Sequence, residues 1–139
     1  MSEEDLGSAY LIDALNNFRS YKKLAEEAFA QTSDEEIFRL IDPDANSIAM
    51  IIKHMAGNMR SRWTNFLNSD GEKPDRHRDL EFEIDPALTR AEVMRWWEDG
   101  WRCVFEAIVP LRSDDLRRNV LIAGRENTVM QAIMRQLLH

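Results

Sequence analysis

A chain of 139 residues with 44% hydrophobic and 31% charged side chains has the make-up of one globular domain, spanning residues 1–139, with apolar material for a real core. Its net charge of −7 argues against nucleic acid or an anionic membrane surface as the main partner. The single cysteine, Cys103, excludes an intrachain disulfide, no apolar run approaches the roughly 20 residues that span a bilayer, and the acidic start MSEEDLGSAY lacks the regions of a secretory signal, so a cytoplasmic location is the default expectation.

Residues 3–31 read as a first helix. Ser2 with Asp5 is a start signal, and Leu11, Leu15, Phe18, Ala25 and Phe29 form the apolar stripe. Ser33 and Glu36 resemble a capping box for a short turn that Asp42-Pro43 stops. Asn46 or Ser47 caps a second helix over 47–67. Its predicted core stripe is Ile48, Ile51, Ile52, Met55, Met59, Trp63 and Phe66. Gly57 sits inside this helix and weakens it by roughly 1 kcal/mol relative to alanine; close approach of another backbone is the usual reason to keep it.

The link that follows, with EKPDRHRDLEFEIDP at its centre, is polar, charged and without helical period. Extended chain covers up to roughly 3.3 Å per residue, so the link can run the length of a helix. It permits a crossover, with the second and third helices parallel. Thr89 and Glu92 form a capping box for a third helix over 89–109, with Val93, Trp97, Trp101, Val104 and Ile108 as its stripe. An aromatic stripe of this kind is core or subunit interface. Cys103 projects with Trp96 and Glu106 instead and reads as a structural thiol. A short turn is expected over 113–118 and an extended apolar piece at Val120-Leu121-Ile122, with glycine behind it. Thr128 and Gln131 cap a fourth helix over 128–139. It is still amphipathic at His139, so it is expected to continue in a longer protein.

Most site motifs are absent. There is no cysteine pair for zinc, no HExxH, no glutamate three residues before a helical histidine, no glycine-rich phosphate loop and no GxSxG. Asp75, His77 and Asp79 alternate in the link with a spacing that suits a cation, but a solvated charged loop is the favoured reading. His54 lies at the edge of the second helix's stripe and is either a core histidine with a satisfied hydrogen bond or a metal ligand. His139 is the other helical histidine. Arg60 and Arg62 follow His54, and Arg76 and Arg78 flank His77. Arginines in pairs grip carboxylate or phosphate bidentately; surface ion pairs explain the same residues.

A helix-two histidine followed by GNMRSRW, the loop DGEKPDRHRDLEFE and the final AIMRQLLH together resemble the DinB/YfiT-like superfamily, in an uncharacterised branch. The resemblance covers essentially the whole chain. It implies an all-α four-helix bundle, up-down-down-up with a long crossover between helices 2 and 3, commonly a homodimer. It also implies a divalent metal, zinc or nickel, held by three histidines. His54 matches the first ligand and His139 the second; the third would lie past the end of this chain. Metal binding by the present chain is therefore expected to be weak or absent, and strong in a longer parent. With the resemblance in hand, the ligand reading of His54 overtakes the core reading. His54 and His139 are expected to converge inside the bundle, where Gly57 and Ala132 would let the helices approach. Arg60 and Arg62 are the candidate contacts to a small-molecule substrate. Two functions follow: a metal-dependent enzyme that transfers or hydrolyses a small thiol-containing substrate, and a non-catalytic homodimeric bundle that serves as a binding or stress-associated module. The first and third helices are expected to offer the apolar surface for self-association.

Overall fold

The computed structural model describes residues 3–138, and side chains from residue 6 onward. It contains four helices, α1 (Glu3–Ala30), α2 (Ile48–Trp63), α3 (Arg90–Ile108) and α4 (Val129–Leu137). Short 3-10 turns lie at Glu36–Phe38, Arg78–Phe82 and Ser113–Arg117, and a hairpin of β1 (Asn119–Ile122) and β2 (Arg125–Thr128) precedes α4. The fold is an all-α bundle with this one small antiparallel sheet as an addition.

The start signals for α2, α3 and α4 act as the sequence suggests. Ser47 Oγ accepts a hydrogen bond from the Met50 amide, and the Thr89–Glu92 and Thr128–Gln131 boxes are closed in both directions. Each cap of this kind stabilises a helix by about 1 kcal/mol. Ser33 and Glu36 form the same reciprocal pair ahead of the first 3-10 turn. The Ser2–Asp5 start signal lies outside the described residues and side chains. α2 stops at Trp63 rather than Leu67, where Asn65 takes a left-handed φ of 50° and breaks the helical run.

Contacts along the helices fix their directions. Phe29 packs on Trp97, Phe18 on Trp101, and Gly7 lies against Ser113, so α1 and α3 are antiparallel. Lys53 lies over Trp96, Ala56 meets Gly100, and Thr64 reaches Cys103, so α2 and α3 are parallel. The Tyr10 hydroxyl donates to the Met130 carbonyl, and Phe18 and Tyr21 share a cleft with Gln136 and Leu137, so α4 runs with α1. The order is up-down-down-up. Gly100 makes the α2–α3 seam close: a Cβ there would lie 3.0 Å from Ala56 Cα and 2.9 Å from Met59 Cε.

One core joins all four helices. The whole predicted α3 stripe is buried, and Trp97 meets both Phe29 and Trp101 edge-on at 5.0 and 5.7 Å. Such aromatic pairs contribute about 0.5–1.5 kcal/mol beyond the area they bury. Two expectations change here. Ile51 is 46% exposed, because the buried face of α2 runs through Ala49, Ile52, Ala56, Met59 and Trp63, which keeps Ile52, Met59 and Trp63 of the expected stripe but turns away from Ile51. The α3 tryptophans Trp97 and Trp101 are buried within the bundle, so they offer no surface for self-association, whereas α1 exposes Leu6, Ile12 and Leu24 at 61–64%.

The second strand of the hairpin has no counterpart in the sequence reading, because Arg125-Glu126-Asn127-Thr128 carries no apolar alternation. Its turn explains it: Ala123 and Gly124 have φ of 52° and 75°, the two positive values a two-residue hairpin turn demands. Asp70, just past α2, holds that turn. Its carboxylate accepts the amides of Ala123 at 2.8 Å and Gly124 at 2.7 Å. No helix among the described residues is long and apolar enough to cross a membrane.

Candidate functional site

The site is built where the crossover runs back along α2. Ser61 starts the seam, donating to the Gly71 carbonyl and accepting from the Lys73 amide, both at 2.9 Å. Lys53 ends it, donating to the carbonyls of Leu80 at 2.7 Å and Glu83 at 2.8 Å. Between these anchors the 3-10 turn at Arg78–Phe82 lowers Glu81 onto the middle of α2, where it is 6% exposed.

Gly57 makes the place for it. A Cβ at Gly57 would lie 1.9 Å from Glu81 Oε2, so the helix tolerates glycine here to admit a carboxylate rather than another backbone. Arg76 grips Glu81 with two 2.8 Å bonds, Nε to Oε2 and Nη2 to Oε1, and both side chains are only 8% exposed. His54 Nδ1 makes the third bond, 2.9 Å to Oε1. Burial by itself would raise the Glu81 pKa; the bonds from Arg76 and His54 outweigh it and hold the carboxyl below its usual range. An ionised carboxylate only accepts, so His54 must carry its proton on Nδ1. In the neutral ring the lone pair is then on Nε2, which has no hydrogen-bond partner among the described residues. Phe82 stacks on the imidazole at 5.1 Å and fixes its plane. A carboxylate that orients a histidine through one nitrogen leaves the other prepared to bind a metal or move a proton.

His54 lines a cleft of about 740 Å³ between α2 and the last turn of α4. Phe18 and Trp101 line its apolar part; Arg62, Arg78 and Arg135 bring charge to it. Trp63 Nε1 donates to Gln136 Oε1 at 3.1 Å and ties the two walls. Arg135 to Leu138 line the cleft, but His139 lies outside the described residues, as does its meeting with His54. The two anticipated substrate arginines part company. Arg62 lines the His54 cleft, whereas Arg60 faces the cleft between α2 and α3 and sits 3.7 Å from Asp99. Asp75, His77 and Cys103 also line that second cleft, with Cys103 beside Trp96 and Glu106 as its spacing indicates. Among the described residues no three His, Cys, Asp or Glu side chains form a metal-holding group, and the expected approach of Gly57 to α4 gives way to its contact with Glu81.

Sequence reasoning missed Glu81, and it noted Arg76 only as an arginine able to grip a carboxylate, without its partner. The signal available for Glu81 was Gly57, one turn past His54, which opens the surface of α2 beside the imidazole.

The profile of the family described as "Protein of unknown function (DUF1572)" matches residues 5–139. The chain belongs to the DUF1572 family. The match takes in His54, Glu81, Arg76 and the described residues that line the cleft. No curated protein matches the chain, and no solved structure does.

Proposed function

We propose that the His54 cleft is the active site of a divalent-metal-dependent enzyme of the DinB/YfiT-like kind, which transfers or hydrolyses a small thiol-containing substrate. The observation that carries this reading is the bond from His54 Nδ1 to the buried Glu81, which leaves Nε2 free at the wall of a substrate-sized cleft. His54 fits a zinc or nickel ligand, with His139 as the second expected donor. Bound there, such an ion would act as a Lewis acid that activates water or a thiolate. The described residues have their own tasks. Arg76 keeps Glu81 ionised, Glu81 holds the Nδ1 proton and the ring plane, and Phe82 and Trp101 exclude water from one side of the imidazole and from the cleft floor.

The test is titration of metal-free, untagged protein with Zn²⁺ and Ni²⁺. His54→Ala should weaken binding at least roughly tenfold, about 1.4 kcal/mol, with helical content by circular dichroism unchanged. Equal affinities in the two proteins would sink the reading. A second reading, a non-catalytic homodimeric binding module, is favoured by the exposed Leu6, Ile12 and Leu24 on α1. Metal titration separates the two: a homodimer by light scattering that binds no metal through His54 supports the module.

A further inference from the structure

Among the described residues, two buried side-chain polar atoms lack any hydrogen-bond partner, Arg62 Nε and Trp101 Nε1. Both residues line the His54 cleft. A buried donor left unmatched costs about 1–3 kcal/mol, more when it is charged, so a fold that leaves two in one cleft has a use for them. Arg62 makes neither a hydrogen bond nor an ion pair among the described residues. Its neighbours make matters worse: burial, then the charges of Arg135 and Arg76, then Arg78 push its pKa down, and Glu72 opposes them only in part. The other two cleft arginines are loosely engaged. Arg78 lies 3.7 Å from Glu72 and Arg135 3.5 Å from the Asn127 amide oxygen. In a chain of net charge −7, three arginines thus face one cleft without a buried carboxylate to neutralise them.

We infer that the His54 cleft holds the oxyanion group of its substrate, a carboxylate or a phosphate, on Arg62, with Arg135 and Arg78 closing around it. Guanidinium suits this role because its planar fork matches both oxyanions, and the partly desolvated position of Arg62 strengthens the bond. This rests on the cleft being the substrate site, but it needs no metal.

The test uses metal-stripped full-length chain and two probes, inorganic phosphate and succinate, titrated by calorimetry. Wild-type protein should bind at least one of them. Arg62→Met, which keeps the apolar stem, should weaken that binding roughly tenfold or more, about 1.4 kcal/mol. Arg135→Ala, at an exposed position on α4, should weaken it several-fold. Lys23→Ala removes the same charge from a side chain that is 78% exposed and away from the cleft, and should change binding less than about twofold. Binding of phosphate alone assigns a phosphorylated substrate; binding of succinate alone assigns a carboxylate. No binding of either probe, or equal binding by wild type and Arg62→Met, overturns the inference. Its failure is separable from that of the metal reading. Anion binding that depends on Arg62 and survives in His54→Ala supports the inference whatever becomes of the metal. Metal bound through His54, in a protein that takes up neither anion, overturns the inference alone.

Discussion

Two clefts of nearly equal size border α2, about 740 Å³ on the His54 side and about 790 Å³ on the α3 side, where Glu81 lines the wall, and both are rich in cations. On the α3 side the cations have work in the fold. Arg76 holds Glu81, Lys53 holds two carbonyls of the crossover, Lys73 holds those of Ser61 and Asp70, and Arg60 and Arg102 share Asp99. On the His54 side Arg62 holds nothing. Positive charge on one side fastens the crossover to α2; on the other it is left available. A count of arginines along the sequence cannot separate these roles, because Arg60 and Arg62 are two residues apart and point to different clefts.

The largest expected effect breaks the fastening. Glu81→Gln leaves Arg76 buried without a counter-charge, which costs about 3–5 kcal/mol in pairs of this kind. A thermal melt should show a drop on the order of 10 °C for a domain of this size; a change under about 2 °C would mean that the pair does not hold the crossover. The same carboxyl sets an acid limit. Its folded pKa is below the unfolded value of about 4.3, so its contribution is complete above that pH and is lost as pH falls through the folded value. The wild-type melting temperature should hold from neutral pH to about 5 and fall below about 4, more steeply than that of Glu81→Gln.

A smaller effect sharpens the same side. Gly57→Ala gains about 1 kcal/mol of helix propensity. Its Cβ would nonetheless meet Glu81 at 1.9 Å, and Glu81 cannot swing away while Arg76 and His54 hold it. Net destabilisation of about 1–3 kcal/mol is expected, as for an overpacked core. Loss of the His54 Nδ1 proton signal in nuclear magnetic resonance should accompany it, and a stabilised variant with that signal intact would refute the account.

The smallest effect has the opposite sign on the other side. Arg62→Met removes a half-buried, unmatched charge and keeps the packing of the stem, so without ligand it should stabilise the fold by about 0.5–1 kcal/mol in urea melts. Destabilisation by a similar amount would show that Arg62 serves the fold after all, as the cations of the α3 side do.

Much of this fold was legible because its signals are local. The caps at Ser47, Thr89 and Thr128 and the Val93–Ile108 stripe are patterns within a turn or two of helix, and they gave correct starts and a correct core face. The length of the link permitted the parallel seam of α2 and α3, and the family resemblance implied it. What stayed hidden depends on contacts between distant residues. Glu81 becomes a partner of His54 only after a segment without period docks 27 residues later in the chain. The β2 strand is polar throughout and exists because Asp70 grips a turn 53 and 54 residues further on. The sequence singles out His54, but not the acid that orients it.

The parallel seam also bears on how fast the bundle assembles. Helices joined by a short loop meet through contacts that are close in sequence, which is why simple up-and-down bundles fold quickly. Here the tightest helix pair meets only across the crossover, with Thr64 and Cys103, for instance, 39 residues apart. Each doubling of a closed loop costs about 0.6 kcal/mol of chain entropy, so a loop of this length rather than a handful of residues adds about 2 kcal/mol before the α2–α3 contacts form. The transition state must therefore contain the docked crossover or go without its closest helix pair. Ser61, Lys53 and Glu81, which stitch the crossover down residue by residue, are the positions where folding speed and site assembly become the same event.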